Sequence, residues 1–303
     1  YDFIAITDHH IYWNDDSFNG PEFCVLGGTE IGFSWGSADY DTPFEKRCLN
    51  YHLNAYFDPA SPDADKRLPH DYRWFVSDFD GKFIPENTDT RGLYTVNFLN
   101  RGKENKMTIY DAVKDTIRFF KAHGNVVMIN HPDWSRHLPE DDIGFEEAFA
   151  MEIYNHGSEV GSANGTSLTH YDEALRAGRR YVALATDDFH GRLSTIGGWI
   201  MVSAKSLSPA DLMAAIKSGS FYATTGPDIY DFYVEDGVAH AETSPVREIS
   251  FITYEPRGAN FSAPTGAYLH RAQAELEPGT NFVRLEITDA NGKKAWSNPI
   301  FLK

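Results

Sequence analysis

Short apolar runs alternate with amphipathic stretches over the first two-thirds of the chain. The runs at residues 3–7, 23–26, 126–130, 150–154 and 181–185 predict strands. Between them, residues 107–123 place Ile109, Val113, Ile117 and Phe120 at helical spacing, with Thr108 as the opening cap, Asp111 as its partner and Gly124 as the stop. A second helix is predicted over residues 209–217, with Ser208 as N-cap, Pro209 in the first turn and Gly219 just past its end. Strands joined by helical crossovers predict an α/β fold built on a parallel sheet or barrel. Residues 57–106 break this rhythm with prolines, glycines, Asp-rich turns and scattered aromatics, over a length too great for an ordinary connection. They read as an insertion, either a lid over a site or a packed excursion with no catalytic role. After Gly226-Pro227 the texture becomes alternating strands, at 249–254 and 282–288. Asp289-Ala290-Asn291-Gly292 follows as a hairpin turn, with a further strand from Ala295-Trp296. Two domains are therefore expected, 1–226 and a small all-β sandwich over 227–303.

Composition narrows the function without naming it. The chain has 303 residues, 42% hydrophobic and 14% aromatic, enough for a large core beside a smaller one. Lys and Arg number 27 against 44 Asp and Glu, a net charge of −17, so a long polyanion such as duplex DNA is repelled by most of the surface. A small anion at a cationic centre remains compatible. Cys24 and Cys48 lack the spacing of a metal-binding pair, and two thiols do not report a redox compartment. No run reaches the roughly twenty apolar residues of a membrane span, and no signal-peptide pattern opens the chain. Localisation is not legible.

The chemistry gathers at strand ends. Four apolar runs finish in ligand-type residues: Ile4-Ala5-Ile6-Thr7-Asp8-His9, Val25-Leu26-Gly27-Gly28-Thr29-Glu30, Val127-Met128-Ile129-Asn130-His131-Pro132 and Ala183-Leu184-Ala185-Thr186-Asp187-Asp188-Phe189-His190. In parallel α/β folds the carboxyl ends of strands converge on one face, where residues distant in sequence meet. Imidazole with carboxylate suits zinc, manganese or iron, and the absence of cysteine donors points to an open, reactive site rather than a structural zinc knuckle.

In this order, Ile6-Thr7-Asp8-His9, Gly28-Thr29-Glu30, Tyr51-His52-Leu53, Asn130-His131-Pro132 and Asp188-Phe189-His190 resemble the successive motifs of the PHP (polymerase and histidinol phosphatase) superfamily, over residues 1–226. The resemblance implies a distorted (β/α)7 barrel, TIM-like in architecture. It also implies a two- or three-metal centre of divalent zinc, manganese or iron held by His9, Glu30, His52, His131, Asp188 and His190, with Glu30 bridging two ions. The implied reaction is hydrolysis of a small phosphate ester by a metal-bound hydroxide. A carboxylic or carbamate ester hydrolase and a catalytically inactive binding protein on the same scaffold are the alternatives. PHP chains open with a His-x-His motif on the first strand. Here the chain starts at Tyr1 without an initiator Met, so that strand and three more ligands are expected upstream. Gly219-Ser220-Phe221-Tyr222-Ala223-Thr224-Thr225-Gly226-Pro227 and Ala295-Trp296-Ser297-Asn298-Pro299-Ile300 are similar to the branch in which a β-sandwich follows the barrel. That module is expected to buttress the barrel or contribute to dimerisation, with carbohydrate or surface binding as a lesser use.

Residues around these motifs carry two readings each. Asp8 is expected to orient His9 rather than ligate, and Asp187 is a weaker candidate for the same role. Glu152 and Asn155 either face the pocket or anchor internal hydrogen bonds. His10 and His156 are either proton shuttles or partly exposed structural histidines. Arg192 either holds a phosphate or makes a surface salt bridge. Asp8, His10 and Arg192 are the candidates for a direct part in catalysis. Trp13, Trp35, Trp74 and Trp134 either wall the pocket or pack in cores and loops. His70, His123, His137, His170, His240 and His270 are expected to be ordinary surface or loop residues.

Overall fold

The computed structural model describes residues 1–34, 50–68, 72–73, 75–78, 82–84 and 109–302. The chain divides into two compact units: Tyr1–Met151 with Ala204–Ala214, and Glu152–Ser203 with Ala215–Lys303.

In the first unit, β1 (Phe3–Ile6) pairs in parallel with β3 (Cys24–Ser34), and β2 (Ile11–Tyr12) lies between them in sequence. β3 is antiparallel to β4 (Asn50–Phe57), and β4 is antiparallel to β8 (Asn125–Ile129). β8 then pairs in parallel with β9 (Ala150–Asn155) through Ala150 and Met151. The short strands β5 (Tyr72–Arg73), β6 (Phe75–Asp78) and β7 (Lys82–Ile84) form two small ribbons, β2 with β5 and β6 with β7. The remainder of residues 69–108, and with it most of the expected insertion, lies outside the described residues.

The fold is mixed α/β, and its main sheet departs from the all-parallel expectation. β4 runs against both of its neighbours, β3 and β8. β4 is absent from the strands read off the sequence, although Tyr51, Leu53, Ala55 and Phe57 alternate with His52, Asn54 and Tyr56. β3 extends eight residues past its predicted end at 26. It lies between β1 and β4 in the sheet, and Cys24 to Phe33 are almost continuously buried instead of alternating, the pattern of a strand covered on both faces.

Helix α1 (Ile109–Ala122) buries Ala112, Val113, Thr116, Ile117 and Phe120, the stripe expected from its periodicity. Gly124 follows with φ of 72°, a left-handed conformation that glycine takes without a Cβ penalty. Asn125 then satisfies the helix end: its amide donates to the carbonyls of Phe120 and His123, and its side-chain oxygen accepts from the Tyr12 hydroxyl at 2.7 Å. Two short helices, α2 (Pro132–Ser135) and α3 (Pro139–Gly144), lead into β9.

In the second unit, the rest of β9 borders β10 (Val182–Thr186), with α4 (His156–Ser162) and α5 (Leu168–Arg176) between them in sequence. Two antiparallel sheets complete it. One has the order β11 (Trp199–Val202), β12 (Phe221–Thr224), β19 (Lys294–Ser297), β18 (Phe282–Thr288), β15 (Glu248–Thr253) and β16 (Ala259–Ser262), with β20 (Ile300–Phe301) on β18. The other joins β13 (Ile229–Glu235), β14 (Val238–Val246) and β17 (Leu269–Glu275). Both sheets contribute to one apolar cluster, including Ala239, Ala241 and Val246 from the smaller and Ile249, Phe251, Leu285 and Ile287 from the larger. Between β11 and β12 lies α6 (Pro209–Lys217), whose residues 209–214 belong to the first unit. The Ser208 hydroxyl accepts from the Asp211 N–H at 3.2 Å, the expected cap.

Candidate metal centre

Three strands of the first unit bring the donors together. The β1 chain end is zipped to β3 by Glu30 N–H donating to the Asp8 carbonyl and His10 N–H to the Glu30 carbonyl, which sets His9 beside Glu30. On β3 and β4, Glu30 stands opposite Asn54 and Gly32 opposite His52. These four share a face, because side chains two apart on a strand point the same way. Gly32 makes room for the ring: a Cβ there would lie 3.1 Å from His52 Nε2. Just past β8, the Asn130 N–H donates to the His52 carbonyl at 3.0 Å, while Asn130 Oδ1 accepts from the Asn54 N–H at 2.9 Å. The next residue, His131, leaves the strand with φ of 27°. This unusual backbone for a non-glycine residue turns its imidazole back toward Glu30.

The result is a compact donor group. His52 Nδ1 lies 2.7 Å from Glu30 Oε1 and His131 Nε2 lies 3.7 Å from the same oxygen. One donor atom from each of Glu30, His52 and His131 lies within 4.8 Å of the others. Donors about 2.1 Å from a common tetrahedral ion sit about 3.4 Å apart, so only small side-chain shifts separate this arrangement from a coordination shell. The donor set, two imidazole nitrogens and one carboxylate, suits a divalent ion of the zinc, manganese or iron kind. Ser135 Oγ lies 2.9 Å from His131 Nδ1, which commits that nitrogen and leaves Nε2 to face Glu30.

The protonation states favour a cation. Burial by itself raises the Glu30 carboxyl, but the His131 and His52 imidazoles outweigh it and hold the group well below the usual carboxylate range. His52 is lowered, by burial first and by His131 and His9, against the opposing pull of Glu30. A charged carboxylate beside a neutral His52 ring is the form that ligates a metal.

Sequence-derived candidates in this unit fare unevenly. His9 is exposed, and its ring lies 5.6 Å from that of His52, outside the compact trio. Asp8 is exposed, and its carbonyl serves the β1–β3 connection. The expectation that His10 would be a partly exposed structural residue is corrected: it is 2% exposed. Burial, then His9 and His52, push it down to about 3, against the pull of Glu30. His137 also proves buried rather than a surface residue, its ring nitrogens 2.7 Å from Asp142 Oδ1 and 3.0 Å from the Asn50 carbonyl. Cys24 is a free, buried thiol, while Cys48, Trp35, Trp74 and His70 lie outside the described residues.

The second unit holds Asp188 and His190. Asp188 has φ of 47°, and its Oδ1 lies 3.3 Å from His190 Nδ1, while the His190 side chain is 63% exposed. Asn155 donates through one amide nitrogen to both Glu152 Oε2 and Asp188 Oδ2, each at 3.0 Å, and its oxygen caps α4. The Thr186 hydroxyl donates to Glu152. These contacts give Glu152 and Asn155 the hydrogen-bond-anchor role. Asp187 accepts from the backbone N–H groups of Ile196, Gly197 and Gly198 at 2.8–3.1 Å, so its carboxylate shapes a turn. His156 lies 3.2 Å from the Tyr154 hydroxyl. His170 is buried, against the expectation of a surface position, and Arg192 is exposed.

Gly32 and Ser135 are neighbours of the trio that motif reading did not single out, while Trp134, read as either a pocket wall or packing, lies against both imidazoles. Ser135 stood four residues after His131, a spacing that a helical turn brings together. Gly32 had no signal beyond being small.

No protein-family model and no curated protein matches the chain. Among solved structures, one from Bifidobacterium adolescentis, provisionally named a metal-dependent phosphoesterase, matches with a TM-score of 0.28 and 16% identity, over 63% of this chain and 78% of that one. At that distance no residue role passes from one chain to the other.

Proposed function

We propose that this chain is a metal-dependent phosphoesterase of the PHP kind, with Glu30, His52 and His131 at the heart of its metal centre. The observation that carries the reading is the meeting of these three donors within 4.8 Å, from three different strands or strand ends. A divalent ion bound there supplies Lewis-acid polarisation of a phosphoryl oxygen and activates water near neutral pH. The chain's part is to keep Glu30 ionised, hold His52 toward its neutral form and fix the orientation of the donors through Ser135 and the β3–β4–β8 register. His9 is proposed as a further donor on its place beside Glu30. His10 is buried with its ring stacked on that of His9 at 5.9 Å and is assigned to packing.

Elemental analysis of the purified chain, followed by turnover of an aryl phosphate and an aryl carboxylate, tests this. The expected result is bound divalent metal, lost in Glu30→Gln, and hydrolysis of the phosphate. Turnover of the carboxylate alone moves the reading to an ester hydrolase. Metal-free protein with neither activity overturns it in favour of an inactive scaffold.

A further inference from the structure

The turn 131–137 presents a partly exposed indole, Trp134, beside the donor trio. Trp134 meets the His131 ring at 4.9 Å and 78°, and the His52 ring at 5.8 Å and 62°, so one indole abuts both imidazoles edge to face. It is nonetheless 38% exposed. The turn that carries it is held at both ends. Ser135 N–H donates to the His131 carbonyl and His137 N–H to the Pro132 carbonyl, each at 3.0 Å, Arg136 closes the turn in a left-handed conformation, and the His137 ring is buried against Asp142. The exposed indole therefore stays beside the donors instead of folding into the core.

An indole has no ligand atom for a hard cation. What it offers is apolar area and a π-face, next to a site whose other groups are polar. We propose that Trp134 is the wall against which the organic group of the substrate packs, so that the centre prefers phosphate esters of aromatic alcohols to those of small aliphatic ones. This rests on the phosphoesterase reading above. A flat ring laid on the exposed indole removes apolar surface from water on both partners, while a methyl group reaches little of it, which sets the preference at roughly tenfold.

The test is calorimetric titration of the manganese-loaded chain with phenylphosphonate and methylphosphonate, neither of which is hydrolysed. The wild-type protein is expected to bind the phenyl compound about tenfold more tightly. Trp134→Ala is expected to weaken phenylphosphonate alone and bring the ratio to about one, with metal content unchanged. Trp134→Gln keeps bulk in the turn without the ring and is expected to behave likewise, while Trp134→Phe retains most of the preference. A wild-type ratio in the Ala or Gln variant overturns the proposal, as does loss of metal from both, which would make Trp134 a support for the ligands. If wild-type protein holds manganese yet binds neither phosphonate, the phosphoesterase reading fails and the substrate wall goes with it.

Discussion

His10, His131 and Asp188 take φ angles of 60°, 27° and 47°, a region that costs a non-glycine residue about 1–3 kcal/mol. His131 and Asp188 lie in motifs singled out for chemistry and His10 directly beside one, and such strain persists only where surrounding contacts hold it. For His131 those contacts are visible: Ser135 on one ring nitrogen and Glu30 near the other. His10 adds a pH dependence. Its folded ring takes a proton only near pH 3, while the unfolded ring does so at the ordinary 6.5, so the unfolded chain binds the extra proton throughout that window. The contribution of His10 to stability is full above about pH 6.5 and declines as pH falls toward about 3, by on the order of a few kcal/mol. His10→Asn, which tolerates the left-handed backbone, is expected to flatten this decline in the metal-free protein. Urea unfolding at pH 7 and pH 4.5 measures it, and an unchanged difference between the two would contradict the assignment.

At the scale of elements, β3 shows how one strand serves both fold and site. Gly28 and Gly32 point to the same face as Glu30, yet they answer to different neighbours. A Cβ on Gly28 would come within 2.4 Å of the Ala55 carbonyl oxygen, a backbone atom of the paired strand β4 that cannot yield without opening the ladder. Gly28→Ala is therefore expected to destabilise the protein by roughly 1–3 kcal/mol. A Cβ on Gly32 meets only the far edge of the His52 ring, at 3.1 Å. Gly32→Ala is expected to change stability by less than about 1 kcal/mol while reducing metal affinity about tenfold, because it tilts a ligand. Thermal melting and metal titration of the two variants separate a strand defect from a site defect.

At the scale of the whole molecule, the two compact units carry different burdens. The donor trio belongs to the first, while the second is built around an apolar cluster shared by two antiparallel sheets and a buried ion pair. Arg284, on β18, is 2% exposed and grips the Asp172 carboxylate of α5 with two nitrogens, at 2.8 and 2.7 Å, while Glu286 lies 3.6 Å from its third. Removing one partner leaves a buried charge, so Asp172→Ala is expected to cost about 3–5 kcal/mol. Arg284→Met added to it is expected to recover most of that loss, since the apolar stem replaces the stranded guanidinium. Chemical denaturation of the single and double variants measures both. Among the described residues, no helix is long and apolar enough to cross a membrane.

The order of the motifs was legible along the chain because each reports a local requirement. Apolar runs ending in His, Glu or Asp mark strands that stop at polar work, and the stripe of α1, the Ser208 cap and the Gly124 stop depend only on near neighbours. The trio's members and their gathering at one centre were expected from sequence through the family resemblance, but the way they meet was not, since it depends on β4 running antiparallel to β3 and on His131 turning out of β8. Burial also escaped the reading. His10, His137 and His170 look like surface histidines until strands and turns from elsewhere in the chain cover them, and Trp134 looks like packing until the fold leaves its ring in water. Side-chain type and spacing are local properties. Strand direction, proximity and solvent exposure are set by which distant segments pair, and only the tertiary structure decides that.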